Sequence, residues 1–232
     1  LDLSNNVFND NYSQEGKTLY VLGEDDYSLI SMENDSLDVF SSIYESASEY
    51  WVQSQYDIDY ENATGEVEAI LTDVWVDPIN GQDEGNIIGD ELNPFLTINY
   101  AMGMIYVTED DGSITIHLTE GEFSPSENGE IFPINMLSNI NLIGQSEEVT
   151  ILDAEGTDRV ITIIDCHNNL ISRITLTRGA AFGVGGGIWL HNSDPTLTHL
   201  TINGNDSGQM GGGMHLEFAN PTIIHVTISA NN

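Results

Sequence analysis

Gly185-Gly186-Gly187-Ile188 returns as Gly211-Gly212-Gly213-Met214, Pro195-Thr196-Leu197 as Pro221-Thr222-Ile223, and His199-Leu200-Thr201-Ile202 as His225-Val226-Thr227-Ile228. Each pair is offset by 26 residues, and the register reaches back to Asn169-Leu170-Ile171 and Arg173-Ile174-Thr175-Leu176. A fixed period of this size marks a solenoid, in which each repeat buries its apolar face only by stacking on its neighbours. Within a repeat the apolar residues come in short alternating runs: Ile188 and Leu190, then Leu197, then Leu200 and Ile202. Period two means strands with one inward face. Gly, Asn, Asp, Ser and Pro separate the runs and supply the turns. Three short strands and three turns per period make one coil of a parallel β-helix. Stacking predicts interior columns of Ile188 over Met214, Leu200 over Val226 and Ile202 over Ile228. Gly185, Gly186 and Gly187, like Gly211, Gly212 and Gly213, read as a corner where Cβ atoms would collide. A phosphate-cradling role would need a following helix, and none is predicted.

Upstream, Ile114–Leu118, Ile140–Ile143, Val149–Leu152 and Val160–Ile164 alternate in the same way, so the β-helix is expected over residues 74–232. The fold class is all-β, a right-handed parallel β-helix. Residues 1–73 do not share the repeat. There Thr18–Leu22 and Tyr27–Met32 read as strands. Val39, Phe40, Ile43, Tyr44, Ala47, Tyr50 and Trp51 follow helical spacing after an Asp35 or Ser36 N-cap. This N-terminal region is expected to be a small mixed α/β cap. Leu1-Asp2-Leu3-Ser4-Asn5-Asn6 is similar to Val226–Asn232 apart from one residue. Two readings stay open at this stage. The chain is a piece of a longer array, or its last coil stacks on the N-terminal face of a second copy, head to tail, as a fibre.

The segment Val76-Asp77-Pro78, Asn80-Gly81, Asn93-Pro94-Phe95-Leu96-Thr97-Ile98, Ala101, then Ile114-Thr115-Ile116-His117-Leu118-Thr119-Glu120-Gly121-Glu122-Phe123 resembles the opening module of secreted bacterial pectate-lyase-like β-helices. The resemblance implies a strand and turn, a short capping helix and the first full coil, with the cap at 74–112. The Gly-Gly-Gly-Ile and Pro-Thr-Leu-Thr-His-Leu-Thr-Ile pattern resembles the repeats of adhesin-type members of that superfamily. It implies an extracellular or cell-surface location but no single activity, because one fold hosts lyases, hydrolases, adhesins and spacers.

Composition bounds the partners. With 38 acidic residues against 4 basic ones the formal charge is −34, which repels nucleic acid and anionic membranes. No apolar run reaches the length of a membrane span. The lone Cys166 sits at the end of an apolar strand, which reads as burial and excludes a disulfide within the chain.

Two acidic segments are candidate calcium sites. Asp57, Asp59, Glu61 and Glu68 occupy positions 1, 3, 5 and 12 of a loop with calcium-ligand spacing, although Asn62 stands where glycine is usual. The other reading of that loop is a solvated acidic hairpin. Asp77, Asn80 and Asp83 surround a glycine-containing turn, where turn formation competes with cation binding. Arg173, His199 and His225 share one 26-residue column and form a possible outer-face ligand column. The paired-Asp signatures of β-helix hydrolases are absent, and no Ser/His/Asp arrangement is recognisable. The sequence therefore reads as a non-catalytic extracellular structural or adhesive module, with self-association and calcium as expected partners. Its alternative is a carbohydrate-active enzyme or a glycan-binding module.

Overall fold

The computed structural model describes residues 70–83, 89–105 and 112–232. The chain divides into two units, residues 1–70 with 84–86, and residues 71–83 with 87–232. The second unit is a parallel β-solenoid of about four coils. Its elements are β1 (Val74–Val76), α1 (Ile98–Met104), β2 (Ile114–Leu118), β3 (Gly121–Phe123), β4 (Ile134–Asn135), β5 (Ile140–Ile143) and β6 (Thr150–Asp153). There follow β7 (Ile161–Ile164), β8 (Leu170–Thr177), β9 (Ala180–Ala181), β10 (Ile188–His191), β11 (Thr196–Asn203), β12 (Asp206–Ser207), β13 (Met214–Glu217) and β14 (Thr222–Ser229). The strands and helix expected within residues 1–69, and the loop Asp57–Glu68, lie outside the described residues.

Every described strand pairing is parallel. One sheet runs β1-β2-β5-β8-β11-β14, a second runs β13-β10-β7-β4, and a short third pairs β12 with β9. The expected columns form: Ile188 pairs with Met214, Leu200 with Val226 and Ile202 with Ile228. Alternation does the sorting, since β2 reads buried, half-buried, buried along Ile114–Leu118. Ile161, Ile163, Ile171, Ile174, Leu176, Ile188, Leu190, Leu197, Leu200 and Ile202 are fully buried. Each such side chain contributes roughly 1.5–3 kcal/mol of apolar burial, which makes stacking the main stabilising term.

Corners are set by residues in the left-handed region. β8, β11 and β14 bend at Arg173, His199 and His225, with φ of 61°, 50° and 52°. A second bend falls at Arg178, Gly204 and Ala230, with φ of 51°, 64° and 52°. Behind it lies an internal asparagine ladder. Asn205 and Asn231 donate through Nδ2 to the carbonyls of Leu176 and Ile202. Their Oδ1 atoms accept from the amides of Gly179 and Asn205. Buried Asn205 and half-buried Asn231 thereby each tie one coil to the previous one. At the Gly triplets a Cβ on Gly186 would lie 2.1 Å from the Asp206 carbonyl oxygen, and one on Gly187 would lie 2.3 Å from that of Gly213.

Helix α1 starts at Thr97, whose hydroxyl accepts from the amide of Tyr100 at 3.2 Å. It buries Ile98, Ala101, Met102 and Met104. Glu130, from a loop 32 residues away, reaches its first turn and accepts from the amides of Ile98 at 2.6 Å and Asn99 at 3.1 Å. Cys166 is buried, and its thiol donates to the carbonyls of Met136 and Ile164.

Candidate functional site

The carboxylates of the N-terminal turn are committed to their own backbone. Asp77 Oδ1 accepts from the amides of Ile79 and Asn80, and Oδ2 accepts from the Asn80 side chain. Partial burial pulls its pKa up, but the amides of Asn80 and Ile79 outweigh burial and hold it below the ordinary range. Asp83 faces the other way. It accepts from the amides of Leu96 and Thr97 and from the Thr97 hydroxyl, and burial raises its pKa against those donors. Asp77 and Asn80 thus meet as a turn, while Asp83 anchors the start of α1. Among the described residues no group of three or more His, Cys, Asp or Glu is placed to hold a metal ion.

Arg173, His199 and His225 stand in one exposed column at the bend of β8, β11 and β14. The rings of His199 and His225 are 4.9 Å apart, and His199 Nδ1 is 2.8 Å from the Thr198 hydroxyl. Their alignment follows from the parallel register of the bend. The same bend in the preceding coil is a longer loop, 144–149, between β5 and β6, so the column does not extend further.

Two further polar clusters emerge only from the fold. Arg178 gathers Asp153, Glu122 at 3.5 Å and Glu155 at 3.9 Å, and its Nε donates to Asp153 Oδ2. Asp153 is buried, and its partner keeps the carboxylate compensated. The second cluster occupies the outer face of the β4-β7-β10-β13 sheet. Register places Asn135, Thr162, Trp189 and His215 in one outward column, and Ile164, His191 and Glu217 in the next. Adjacent members of a column lie about 4.8 Å apart. The Arg159 guanidinium carbon stands 4.7 Å from the centre of the Trp189 ring. His191 Nδ1 is 3.2 Å from Glu217 Oε2, and its ring meets Phe218 edge to face at 5.8 Å. Asn192 donates to Asp165 at the end of the same face.

Three buried side-chain atoms have no hydrogen-bond partner among the described residues: Asn169 Oδ1 and the two donors Arg159 Nη1 and Trp189 Nε1, which lie together. Both donors are closed to water. An unpaired buried donor costs about 1–3 kcal/mol, more when charged. The cation–π contact returns about 0.5–2 kcal/mol of this. Burial also lowers the Arg159 pKa, partly offset by Asp158. The sequence carried a signal for this pair: alternation in Ile188-Trp189-Leu190-His191 puts the indole outward, and Arg159 is one of four basic residues.

A family model described as "Protein of unknown function (DUF1565)" matches residues 79–232. No curated protein and no solved structure matches the chain.

Proposed function

The chain belongs to the DUF1565 family, and from its geometry we propose that it is a non-catalytic, extracellular structural and adhesive β-helix module. In this reading it is a relative of pectate-lyase-like repeat proteins, acting as a stiff stalk or fibre subunit. The observation that carries it is where the reactive side chains point. Asp77, Asp83, Asp153, Asp165 and Glu130 each accept hydrogen bonds that hold a turn, a helix start or the next coil. These carboxylates are spent on architecture. Head-to-tail stacking of a second copy on β14 belongs to the same proposal. Divalent cations such as calcium would screen the acidic turns of a chain carrying −34.

Negative-stain imaging with sedimentation of the purified chain, in calcium and then in chelator, tests this. Unbranched threads that shorten in chelator are expected. A compact monomer in both conditions would remove the fibre, and release of reducing ends or unsaturated products from polysaccharides would remove the non-catalytic reading. A second reading, a glycan-binding module, is favoured by the Trp189 face, where an aromatic platform adjoins unpaired donors.

A further inference from the structure

On the reading that the outer face of β7, β10 and β13 binds glycan, we propose that Trp189 and Arg159 form a subsite for a neutral pyranose unit of an uncharged glycan. The indole is an apolar ring of the size of a sugar ring with the Arg159 guanidinium over it, and its N–H and the guanidinium Nη1 are two donors closed to solvent and without acceptors among the described residues. A pyranose supplies both complements: a face of C–H groups for the ring and hydroxyl oxygens for the donors. Arg159 comes from the turn before β7 and lies across the indole, with 15% of its side chain exposed. Binding would require that side chain to move off the ring, which would free the stacking face and bring the guanidinium to the rim to donate to the sugar.

Charge selects the class of glycan. Arg159 is the cation at this face, and Asp158 already stands 3.9 Å from its Nε. Arg178 is engaged by three carboxylates elsewhere. Asp165 and Glu217 flank the face, held by Asn192 and His191. A polyuronate would meet these carboxylates and the −34 charge of the whole chain, whereas a neutral glycan meets none of that repulsion. The flanking carboxylates serve it instead as acceptors for sugar hydroxyls. Trp189 and His215 adjoin along the solenoid axis in one column of the outer face, with Thr162 buried on the other side of Trp189.

The test is calorimetric titration of the full chain with cellohexaose, xylohexaose, mannohexaose and hexagalacturonate, with W189F, W189A and R159Q beside the wild type. At least one neutral hexaose is expected to bind, hexagalacturonate not to bind, W189F and R159Q to raise Kd about tenfold, and W189A to abolish binding. Far-UV circular dichroism and the melting midpoint check each variant, and W189F keeps the packing ring if W189A misfolds. Binding that W189F and R159Q leave unchanged would overturn this subsite while leaving glycan binding standing. Tighter binding of hexagalacturonate than of any neutral hexaose would overturn the charge argument. Binding of no hexaose would overturn both the subsite and the glycan reading beneath it.

Discussion

Replacing Gly186 by alanine adds one methyl group at a crowded corner of the solenoid. The new Cβ would stand 2.1 Å from the Asp206 carbonyl oxygen and 2.6 Å from that of Gly212, both backbone atoms. Since real Cβ contacts do not fall below 3.0 Å, the first oxygen must move by about 0.9 Å. The hydrogen bonds that would stretch are Asp206 N to Gly179 O at 2.8 Å, Gly187 N to Gly212 O at 2.9 Å and Val160 N to Gly186 O at 3.0 Å. Three ladder bonds at about 1 kcal/mol each, with ~1–3 kcal/mol for overpacking, give a loss of roughly 4–6 kcal/mol. Gly186→Val should abolish folding. Gly183→Ala is the matched control, because its Cβ meets nothing within 4 Å. It should leave stability within ~0.5 kcal/mol or raise it slightly. Gly156→Ala separates strain from collision, since Gly156 has φ of 72° and no neighbour within 4 Å. It should lose only about 1 kcal/mol. Urea unfolding followed by circular dichroism reads all four. Gly186→Ala within 1 kcal/mol of wild type, or no more destabilising than Gly156→Ala, would refute the corner argument.

Glu130 is raised to about 7 from a reference of 4.5 by burial, against the amides of Ile98 and Asn99. The folded state therefore holds a proton more tightly than the unfolded one. The stabilisation is fully present below pH 4.5 and is lost as pH rises through 7, at about 1.4 kcal/mol per unit. Melting midpoints at pH 5 and pH 8 should show this fall, and Glu130→Gln should flatten the difference whatever its own offset; an unchanged slope in the variant would assign the pH dependence elsewhere. Arg178→Ala strands the buried Asp153 and should cost about 1–3 kcal/mol, less than for a fully buried pair because Arg178 is 54% exposed. Adding Asp153→Asn should recover part of that loss in the same denaturation assay, and no recovery would show that the pairing is not the cause. His199→Asn and His225→Asn relieve β-carbon strain at φ of 50° and 52° and should each stabilise by ~0.5–1 kcal/mol. Destabilisation by either would mean that the histidine rings contribute more than their corner costs.

The parts of this fold legible in the sequence are those where the period is constant. From Leu170 to Thr196 and on to Thr222 the register advances by 26, and every interior column there was readable by alternation. Upstream the offset changes. Leu142 pairs with Ile171, 29 residues on, and Ile151 pairs with Thr175, 24 residues on. The cause is local: the loop 144–149 stands where Arg173 alone makes the bend one coil later, so a fixed-period comparison slides out of register. The capping of α1 by Glu130 was not readable either, because nothing within the helix marks a partner 32 residues away. The Arg173, His199, His225 column was readable as an alignment. Its left-handed backbone was not, since arginine does not mark such a bend and histidine, though enriched at positive φ, also fills many other positions.

The exposed bends and the unpaired donors bear differently on function. In a stack of coils each backbone strain is repeated at every level, so a non-glycine residue in the left-handed region is tolerated only where its neighbours fix it from both sides. At Arg178 that fixation comes from three carboxylates, and at Gly204 and Ala230 it comes from the asparagine ladder. The Arg159–Trp189 pair has no such return. Its donors stabilise no turn and join no coil, although the same chain satisfies Asn205, Asn231, Asp77 and Asp83 in full view of similar geometry. Among the described residues the solenoid leaves three buried side-chain atoms unpartnered, Asn169 Oδ1 and this pair of donors, and leucine would supply the bulk of Trp189 without an orphaned N–H. On the proposed glycan reading a ligand meeting the sheet from outside would satisfy these two donors, whereas the histidine column presents no buried orphaned donor and His199 Nδ1 already meets the Thr198 hydroxyl.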